Sequence, residues 1–197
     1  DSVTTADYPS ETTGGGIRYS IPMSEYNALN LSAAIEDISL AATSSTPPEY
    51  QSTIDRHPDN LNLNLSAGFS KDTRDRIRFP QRGLYRRISA EIGIPGSDLE
   101  YYKLSLRGSW YRQLVGRLIL NLRGDIGYGD GYGDLEELPF FKNYYAGGAS
   151  SVRGYEARSL GPVSNGADAA PLGGGIRTVA GVEMYFPVFG LKEDNDK

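Results

Sequence analysis

The sequence has no cysteine, a single histidine and only two methionines. The absence of cysteine excludes a disulfide framework, a cysteine-ligated zinc site and a thiol nucleophile. His57 alone cannot form a multi-histidine metal site, so no metal site is predicted. No cofactor site is predicted either, because the glycine-rich stretch 127–133 is not followed by a helix and does not match the dinucleotide-binding fingerprint. The net charge of −5 and the isoelectric point near 5.0 argue against a nucleic-acid partner. No apolar run approaches the roughly 20 residues that a membrane-spanning helix needs.

Alternation of apolar and polar residues is the main pattern in the chain, whereas apolar residues at helical spacing are scarce. In the clearest segment, Leu120, Leu122 and Ile126 fall on one side of an extended chain. Arg123 and Asp125 fall on the opposite side, because successive side chains of a β-strand point to opposite faces. Seven segments of this kind predict seven strands. They lie near 14–21, 26–37, 61–71, 83–94, 99–111, 114–129 and 174–187.

The predicted fold is all-β: a partial section, of about seven strands, of an antiparallel transmembrane β-barrel, with a long external loop over 130–173. Several predicted strands have the length that crosses a bilayer when tilted, about 9–11 residues. Aromatic residues gather near strand ends, as in the girdles at membrane interfaces, and short connections contrast with long ones. A soluble antiparallel β-sandwich with one wet face per sheet stays open as the alternative.

No combination of nucleophile, base and acid stands out in the sequence, and the chain is not predicted to be an enzyme. A basic cluster, interleaved with Asp72 and Asp75, leads into the fourth predicted strand. We interpret this cluster as a solvated turn, and contact with a phosphate group such as a lipid headgroup is the weaker alternative. Its members are Arg74, Arg76, Arg78, Arg82, Arg86 and Arg87.

The most informative part of the predicted external loop is 144–155. It contains the adjacent pair Gly147 and Gly148, and glycine adopts backbone conformations that other residues rarely adopt. A guanidinium group then offers five donors in a rigid fork, which suits a fixed carboxylate partner and would help to offset the entropy lost by ordering a long loop. The alternative is a surface loop with an incidental arginine. The residues around that guanidinium are Val152, Arg153, Gly154 and Tyr155.

Residues 147–155, followed by 159–162, resemble the sixth-loop motif of the family that assembles outer-membrane proteins. The match extends over most of the chain, roughly from residue 14 to residue 189. Further similarity to the assembly factors of this family lies in 94–98, 100–103, 128–131 and 138–141. A periplasmic-turn signature is formed by Asp72, Arg74, Asp75, Phe79, Pro80 and Gly83.

This resemblance implies a sixteen-stranded barrel, in which the seven predicted strands correspond to strands six to twelve. The chain would then be an internal section that ends in a periplasmic turn over 190–197. The resemblance also implies that Arg153 reaches into the lumen and pairs with Glu183, with a second acidic partner on strand thirteen. Tyr155 stands where the family often has phenylalanine, which keeps the ring and adds a hydroxyl group.

The implied function is to fold β-barrel proteins and insert them into the outer membrane of Gram-negative bacteria, without covalent chemistry. The implied partners are unfolded outer-membrane proteins, lipoproteins of an assembly complex, the protein's own periplasmic POTRA domains and the lipid bilayer. A sister translocase, which secretes one partner protein or assembles autotransporters, remains an alternative because it shares the loop motif. A soluble β-sandwich binding module is the third, weaker alternative.

Overall fold

The computed structural model describes residues 8–165 and 169–186, and their strands form one antiparallel sheet. Each of the seven strands pairs with the next one along the chain, so the sheet order is the sequence order. The strands are β1 Ser10–Pro22, β2 Asn27–Leu40, β3 Asp59–Asp72, β4 Gly83–Gly93, β5 Tyr101–Gln113, β6 Ile119–Gly131 and β7 Ile176–Tyr185. The predicted all-β, antiparallel class is confirmed.

One helix and several strand bounds differ from the sequence-based expectation. The α-helix α1 Pro48–Arg56 occupies the connection between the second and third predicted strands. β1 begins at Ser10 rather than near 14, β2 extends to Leu40 rather than to 37, and β6 begins at Ile119 rather than near 114, because 114–118 form a turn. The helix is short, and only Tyr50 and Ile54 of its residues are buried, so its periodic signal is weak. A single 3₁₀ turn, Phe140–Lys142, lies in the long loop. The last residue of the predicted strand 174–187 and the segment 190–197 lie outside the described residues.

The two faces of the sheet differ in chemistry as the alternation predicts. On the outer face, Ile126 is 48 % exposed and Val182 is 68 % exposed. On the inner face, Asn62 and Asn121 are buried. The soluble β-sandwich alternative is wrong, because the described strands form one sheet and its apolar face has no second sheet against it. Such a face is suited to lipid. No helix among the described residues is long and apolar enough to cross a membrane.

The hydrophobic core lies at one end of the sheet, on the inner face, where α1 and the long loop between β6 and β7 meet. The Tyr50 and Phe140 rings stack with their centroids 4.2 Å apart, and the Tyr50 hydroxyl donates to the Leu172 carbonyl. Burial raises the pKa of Tyr50. The opposite end carries the three short turns, 23–26, 73–82 and 114–118. The core residues are Ile38, Leu40, Tyr50, Ile54, Leu99, Tyr101, Leu138 and Phe140.

Three glycines on the inner face of β6 give the long loop its place against the sheet. A Cβ atom at Gly127 would lie 2.6 Å from the Tyr144 ring, and one at Gly131 would lie 2.5 Å from the Leu135 carbonyl oxygen. A Cβ atom at Gly129 would also be crowded, at 3.1 Å from loop and β5 side-chain atoms. Any side chain here would therefore displace the loop.

We expect Gly127→Ala to destabilise the full-length protein by about 1–3 kcal/mol, because its methyl group overlaps the Tyr144 ring. Gly124→Ala is the matched control on the same strand, since Gly124 is exposed and has open space where a Cβ would lie. Urea titration in lipid vesicles measures the difference. Equal midpoints for the two variants would show that the loop does not rest on β6.

Candidate functional site

Two carboxylates on the inner face organise the contact between the sheet and the long loop. The first is Asp125 of β6, which lies between arginines of the two neighbouring strands. Arg107 Nε of β5 donates to Asp125 Oδ2 at 2.7 Å, and Arg177 Nη2 of β7 donates to Oδ1. The side chains of Asp125 and Arg177 are each 20 % exposed, so this pair is shielded from bulk water.

The second carboxylate is Glu183 of β7, which faces one arginine from the sheet and one from the loop. Arg123 Nη2 lies 3.3 Å from Glu183 Oε1, and Arg153 Nη2 lies 3.5 Å from the same oxygen. The Tyr185 hydroxyl donates to the other carboxylate oxygen. The structure therefore brings together the two residues, Arg153 and Glu183, that the loop motif predicts as partners.

The two arginines at Glu183 are not equivalent. The Arg153 side chain is 63 % exposed, whereas the Arg123 side chain is 24 % exposed. Arg123 also packs over Gly181, where a Cβ atom would lie 2.7 Å from its Nε. Because exposed ion pairs contribute little, Arg123 is the stronger partner of Glu183. Sequence reasoning placed Arg123 on the inner face but did not assign it a role.

The sheet arginines hold the loop through its backbone as well. Arg123 Nη2 donates to the Ser151 carbonyl oxygen at 2.9 Å, and Arg177 Nη1 donates to the Tyr145 carbonyl oxygen at 3.1 Å. Each guanidinium thus contacts a carboxylate of the sheet and a carbonyl of the loop at the same time. The rigid fork of five donors fixes the direction of both contacts, whereas the three donors of a lysine ammonium rotate freely.

The motif residues of the loop form a tight local structure. Gly147 and Gly148 have φ angles of 109° and 91°, and a Cβ atom at Gly147 would lie 2.3 Å from the Glu156 carbonyl oxygen. The Ser151 hydroxyl accepts from Gly147 N at 2.8 Å and donates to Gly147 O at 3.0 Å. Glycine is therefore required at 147 by both its backbone angle and its surroundings.

The tip of this loop is exposed, in contrast to its base. Gly154 has a φ of 89° with open space around it, and Tyr155 is 56 % exposed. Val152 is partly buried. Glu183 lies two residues from the short-turn end of β7, so the loop reaches it about 23 Å from the other end of the strand. A cavity of about 590 Å³ remains between the loop and the inner face.

Lys142 is a second attachment of the loop that sequence reasoning missed. Its Nζ lies 3.6 Å from Glu36 Oε2 of β2 and 3.8 Å from Glu91 Oε1 of β4. The same carboxylates accept from Asn62 Nδ2 at 2.8 Å and from the Tyr101 hydroxyl at 2.5 Å. Lys142 is therefore held within a polar network on four strands, β2 to β5. No local periodicity in the sequence reveals this contact, because its partners are distant in the chain.

The predicted periplasmic-turn residues lie together in the turn between β3 and β4 (residues 73–82, the β3–β4 turn). Arg74 Nη2 lies 2.6 Å from Asp72 Oδ2, and the Arg74 guanidinium lies over the Tyr85 ring. Gly83 has a φ of 109°, and a Cβ atom there would lie 2.3 Å from the Thr73 carbonyl oxygen. This close approach explains the requirement for glycine at 83.

Asp75 closes the same turn. Its Oδ1 accepts from Gln81 N at 2.9 Å and from Arg82 N at 3.2 Å. Loss of surrounding water raises the pKa of the Asp75 carboxyl, but these two N–H donors, the charge of Arg76 and the Asp75 N–H together outweigh that effect, so the net direction is downward. Phe79 has a φ of 51° and is 87 % exposed, and Pro80 follows it. The motif is thus a self-contained turn, separate from the loop site.

The described part of the chain offers no obvious site for a metal ion. Among these residues, no group of three or more His, Asp or Glu side chains is placed to hold one. His57 is exposed, next to the C-terminal end of α1. The chemistry of the inner face is therefore that of paired charges and hydrogen bonds, which position the loop.

The fold and the site define a section of an outer-membrane β-barrel whose long loop is fixed against the inner face. A model of the Omp85 superfamily domain matches residues 1–197. The chain belongs to the Omp85 superfamily, and the family and the outer-membrane location predicted from the sequence are confirmed.

Assembly factors are among the similar proteins. The chain is 32 % identical to outer membrane protein assembly factor BamA of Neisseria meningitidis serogroup B, over 98 % of this chain and 26 % of the relative. It is 26 % identical to BamA of Nitratidesulfovibrio vulgaris, over 79 % and 20 % of the two chains. A human sorting and assembly machinery component 50 homolog is 27 % identical over 66 % of this chain and 27 % of the relative. The chain thus spans about a quarter of the length of these curated relatives.

A solved structure shows the same fold. The crystal structure of BamA from Haemophilus ducreyi lacking POTRA domains 1–3 matches with a TM-score of 0.84 and 24 % sequence identity. The match covers 95 % of this chain and 39 % of that chain. The open sheet described here therefore has the curvature and strand order of part of a barrel.

We expect Lys142→Met to loosen the start of the long loop, because it removes the ammonium group between Glu36 and Glu91. If the free energy of local opening of the loop falls by about 1 kcal/mol, proteolysis that follows this opening should become about fivefold faster. Limited proteolysis of the full-length protein in vesicles, mapped by mass spectrometry, measures this. Lys71→Met, on the outer face, is the control, and equal cleavage of both variants would contradict the role of Lys142.

We expect the β3–β4 turn to loosen in acid because the folded-state pKa of Asp75 is lowered. Its stabilising contribution is complete above the unfolded pKa of about 3.9 and is lost as the pH falls through the lower folded value. Hydrogen exchange of the peptide that contains Gln81 and Arg82, corrected for intrinsic rates, measures this loss. In Asp75→Asn, hydrogen exchange of this peptide should not increase in this way as the pH falls. Identical dependence of exchange on pH in the two proteins would contradict the role given to Asp75.

Proposed function

We propose that this chain forms part of the barrel of an assembly factor that folds β-barrel proteins and inserts them into the bacterial outer membrane. The observation that carries the proposal is the 32 % identity to an outer-membrane protein assembly factor over 98 % of the chain. The exposed apolar outer face and the polar inner face support a lipid-embedded position. Its partners are then unfolded outer-membrane proteins, lipoproteins of the assembly complex, the POTRA domains of the same protein and the bilayer.

The role that the geometry supports for this section is positioning rather than bond-making chemistry. The arginines at Asp125 and Glu183 fix the loop by backbone and side-chain contacts on β6 and β7. A loop fixed in this way fills part of the lumen. It also connects the end of the barrel wall that holds the hydrophobic core with the short-turn end, where Glu183 lies. Lowering the barrier to insertion would then depend on a wall that keeps its shape while neighbouring lipid is disturbed.

An assembly factor is favoured over the sister translocase by the similar proteins, not by the loop motif. The loop motif is common to both functions, so Val152, Arg153, Gly154 and Tyr155 do not discriminate between them. The bacterial and human relatives described above carry names that refer to assembly. Insertion of an unfolded outer-membrane protein into vesicles that contain the full-length protein tests the proposed function directly.

The charge swap at Arg153 and Glu183 tests whether the fixed loop matters for insertion. Arg153→Glu places a second carboxylate beside Glu183, at a position where the arginine lies at 3.5 Å. We expect the insertion rate to fall about fivefold, corresponding to about 1 kcal/mol for a partly exposed pair. Adding Glu183→Arg should restore the rate only in part, because the new arginine would face Arg123.

The structure also supplies the variant that relieves this second conflict. Adding Arg123→Gln to the double swap removes the like charge and should bring the rate closer to that of the unchanged protein. Arg87→Glu, an equal charge change on the inner face of β4, is the control. If the double and triple variants insert no faster than Arg153→Glu at equal protein level and equal urea resistance, a direct Arg153–Glu183 pair has no part in function.

A further inference from the structure

Charge is divided along the strand axis of the sheet. At the short-turn end, segments 23–26, 71–87 and 111–118 carry nine Lys or Arg residues and three Asp or Glu residues. The described connections that begin at the other end have the opposite balance: segments 41–58, 94–100, 132–165 and 169–175 carry eight Asp or Glu residues and four Lys or Arg residues. The net charge of −5 for the whole chain conceals this separation. The short-turn end is therefore a basic surface on an acidic protein.

Part of this basic surface faces outward, where the barrel meets lipid. Lys71 and Arg86 are cross-strand neighbours on the outer face of β3 and β4, and Arg86 is exposed. Arg112 projects from the same face near the end of β5, two residues beyond Trp110. Long basic side chains at such a position extend along apolar surface and place their charge at the headgroup level.

These cations are not neutralised by the protein. Among the described residues, no carboxylate lies within ion-pair distance of Arg78, Arg86 or Arg112. Asp72 pairs with Arg74, and Asp75 accepts from backbone N–H groups of its own turn. Asp72, at the end of β3, and Asp75, in the β3–β4 turn, are thus engaged in shaping the turn.

The β3–β4 turn also exposes apolar side chains between its arginines. Ile77 is 83 % exposed and Phe79 is 87 % exposed, and they alternate with Arg76 and Arg78. The Asp75 contacts and Gly83 hold this turn in a defined shape, so the side chains project from a fixed base. Exposed aromatic and aliphatic groups next to arginines are the chemistry that binds an anionic membrane surface.

We propose that the β3–β4 turn, together with Lys71, Arg86 and Arg112, is a binding surface for anionic phospholipid headgroups at the short-turn side of the membrane. The guanidinium and ammonium groups would contact lipid phosphates, and Ile77 and Phe79 would enter the interface beside them. An anionic lipid is a better occupant than an acidic protein segment. The cations carried by the strands, Lys71, Arg86 and Arg112, lie on the outer face of the sheet. The same face carries Leu84, Ile88 and Trp110, whose apolar side chains are suited to contact with acyl chains.

Local lipid composition around the turn tests this proposal. A fluorophore is attached to Ile77→Cys of the full-length protein, in which other cysteines are replaced by serine. The protein is placed in phosphatidylcholine vesicles that contain either brominated phosphatidylglycerol or brominated phosphatidylcholine at the same mole fraction. We expect the anionic lipid to quench about threefold more strongly at low salt, with the preference decreasing at high salt.

Neighbouring arginines provide a matched pair of variants. Arg86→Gln, on the outer face, should reduce the preference for phosphatidylglycerol, whereas Arg87→Gln, on the inner face, should leave it unchanged. When Arg76, Arg78, Arg82 and Arg86 are all replaced by glutamine, quenching by brominated phosphatidylglycerol should be about equal to quenching by brominated phosphatidylcholine.

Two outcomes would overturn the proposal. Equal quenching by both brominated lipids in the unchanged protein would show that the turn does not select anionic lipid. Quenching by neither lipid would show that the turn is away from the bilayer or covered by protein. The readout does not use insertion activity, so its failure is distinct from a failure of the proposed function.

Discussion

The position of the long loop depends on two carboxylates that the sheet places on its inner face. Asp125 and Glu183 lie on neighbouring strands, and each is in contact with an arginine of the sheet, Arg177 and Arg123 respectively. Arg123 Nη2 and Arg177 Nη1 also donate to carbonyl groups of the loop, whereas the Nε atoms of both arginines are buried without a hydrogen-bond partner among the described residues. A buried backbone carbonyl without a donor is costly, and so is an unpaired guanidinium. The carboxylates therefore compensate the charges of the two arginines, and the arginines in turn supply donors to two carbonyl groups of the loop.

The inner face of β6 both binds the long loop and allows its close approach. Near the short turns its inner side carries polar and charged residues, which bind the loop, and farther along it carries only glycine, which lets the loop approach. Glycine usually weakens a strand, but β6 is paired on both sides, so its ladder is complete. The close packing of Tyr144 over Gly127 replaces the side-chain contact that glycine lacks. After Ile119, the inner residues in order are Asn121, Arg123, Asp125, Gly127, Gly129 and Gly131.

The sequence was sufficient to assign the side chains of the strands to the two faces of the sheet, because alternation of apolar and polar residues is a local property. It placed Arg123, Asp125 and Glu183 on the polar side, and the loop motif supplied Arg153 as the partner of Glu183. It could not show that Arg123 is the better-buried partner, since this depends on the register that sets Asn121 opposite Glu183. Lys142 carries no periodic signal, because it lies in a single 3₁₀ turn and meets strands far away in the chain. The helix α1 was missed for a related reason: a nine-residue helix is formed by tertiary packing more than by its own propensity.

Arginine serves two opposite purposes in this sheet, and the difference follows from which face it occupies. On the inner face, Arg123 and Arg177 are paired with carboxylates and largely shielded from water, so they position the loop and added salt affects these two pairs little. Arg107 and Arg153 are also paired there but are more exposed. On the outer face and in the β3–β4 turn, several guanidinium groups have no carboxylate near them, so their field extends beyond the protein and salt weakens it. The attachment of the loop and the attraction of the turn for a charged surface are therefore independent of each other, although both are built from the same side chain.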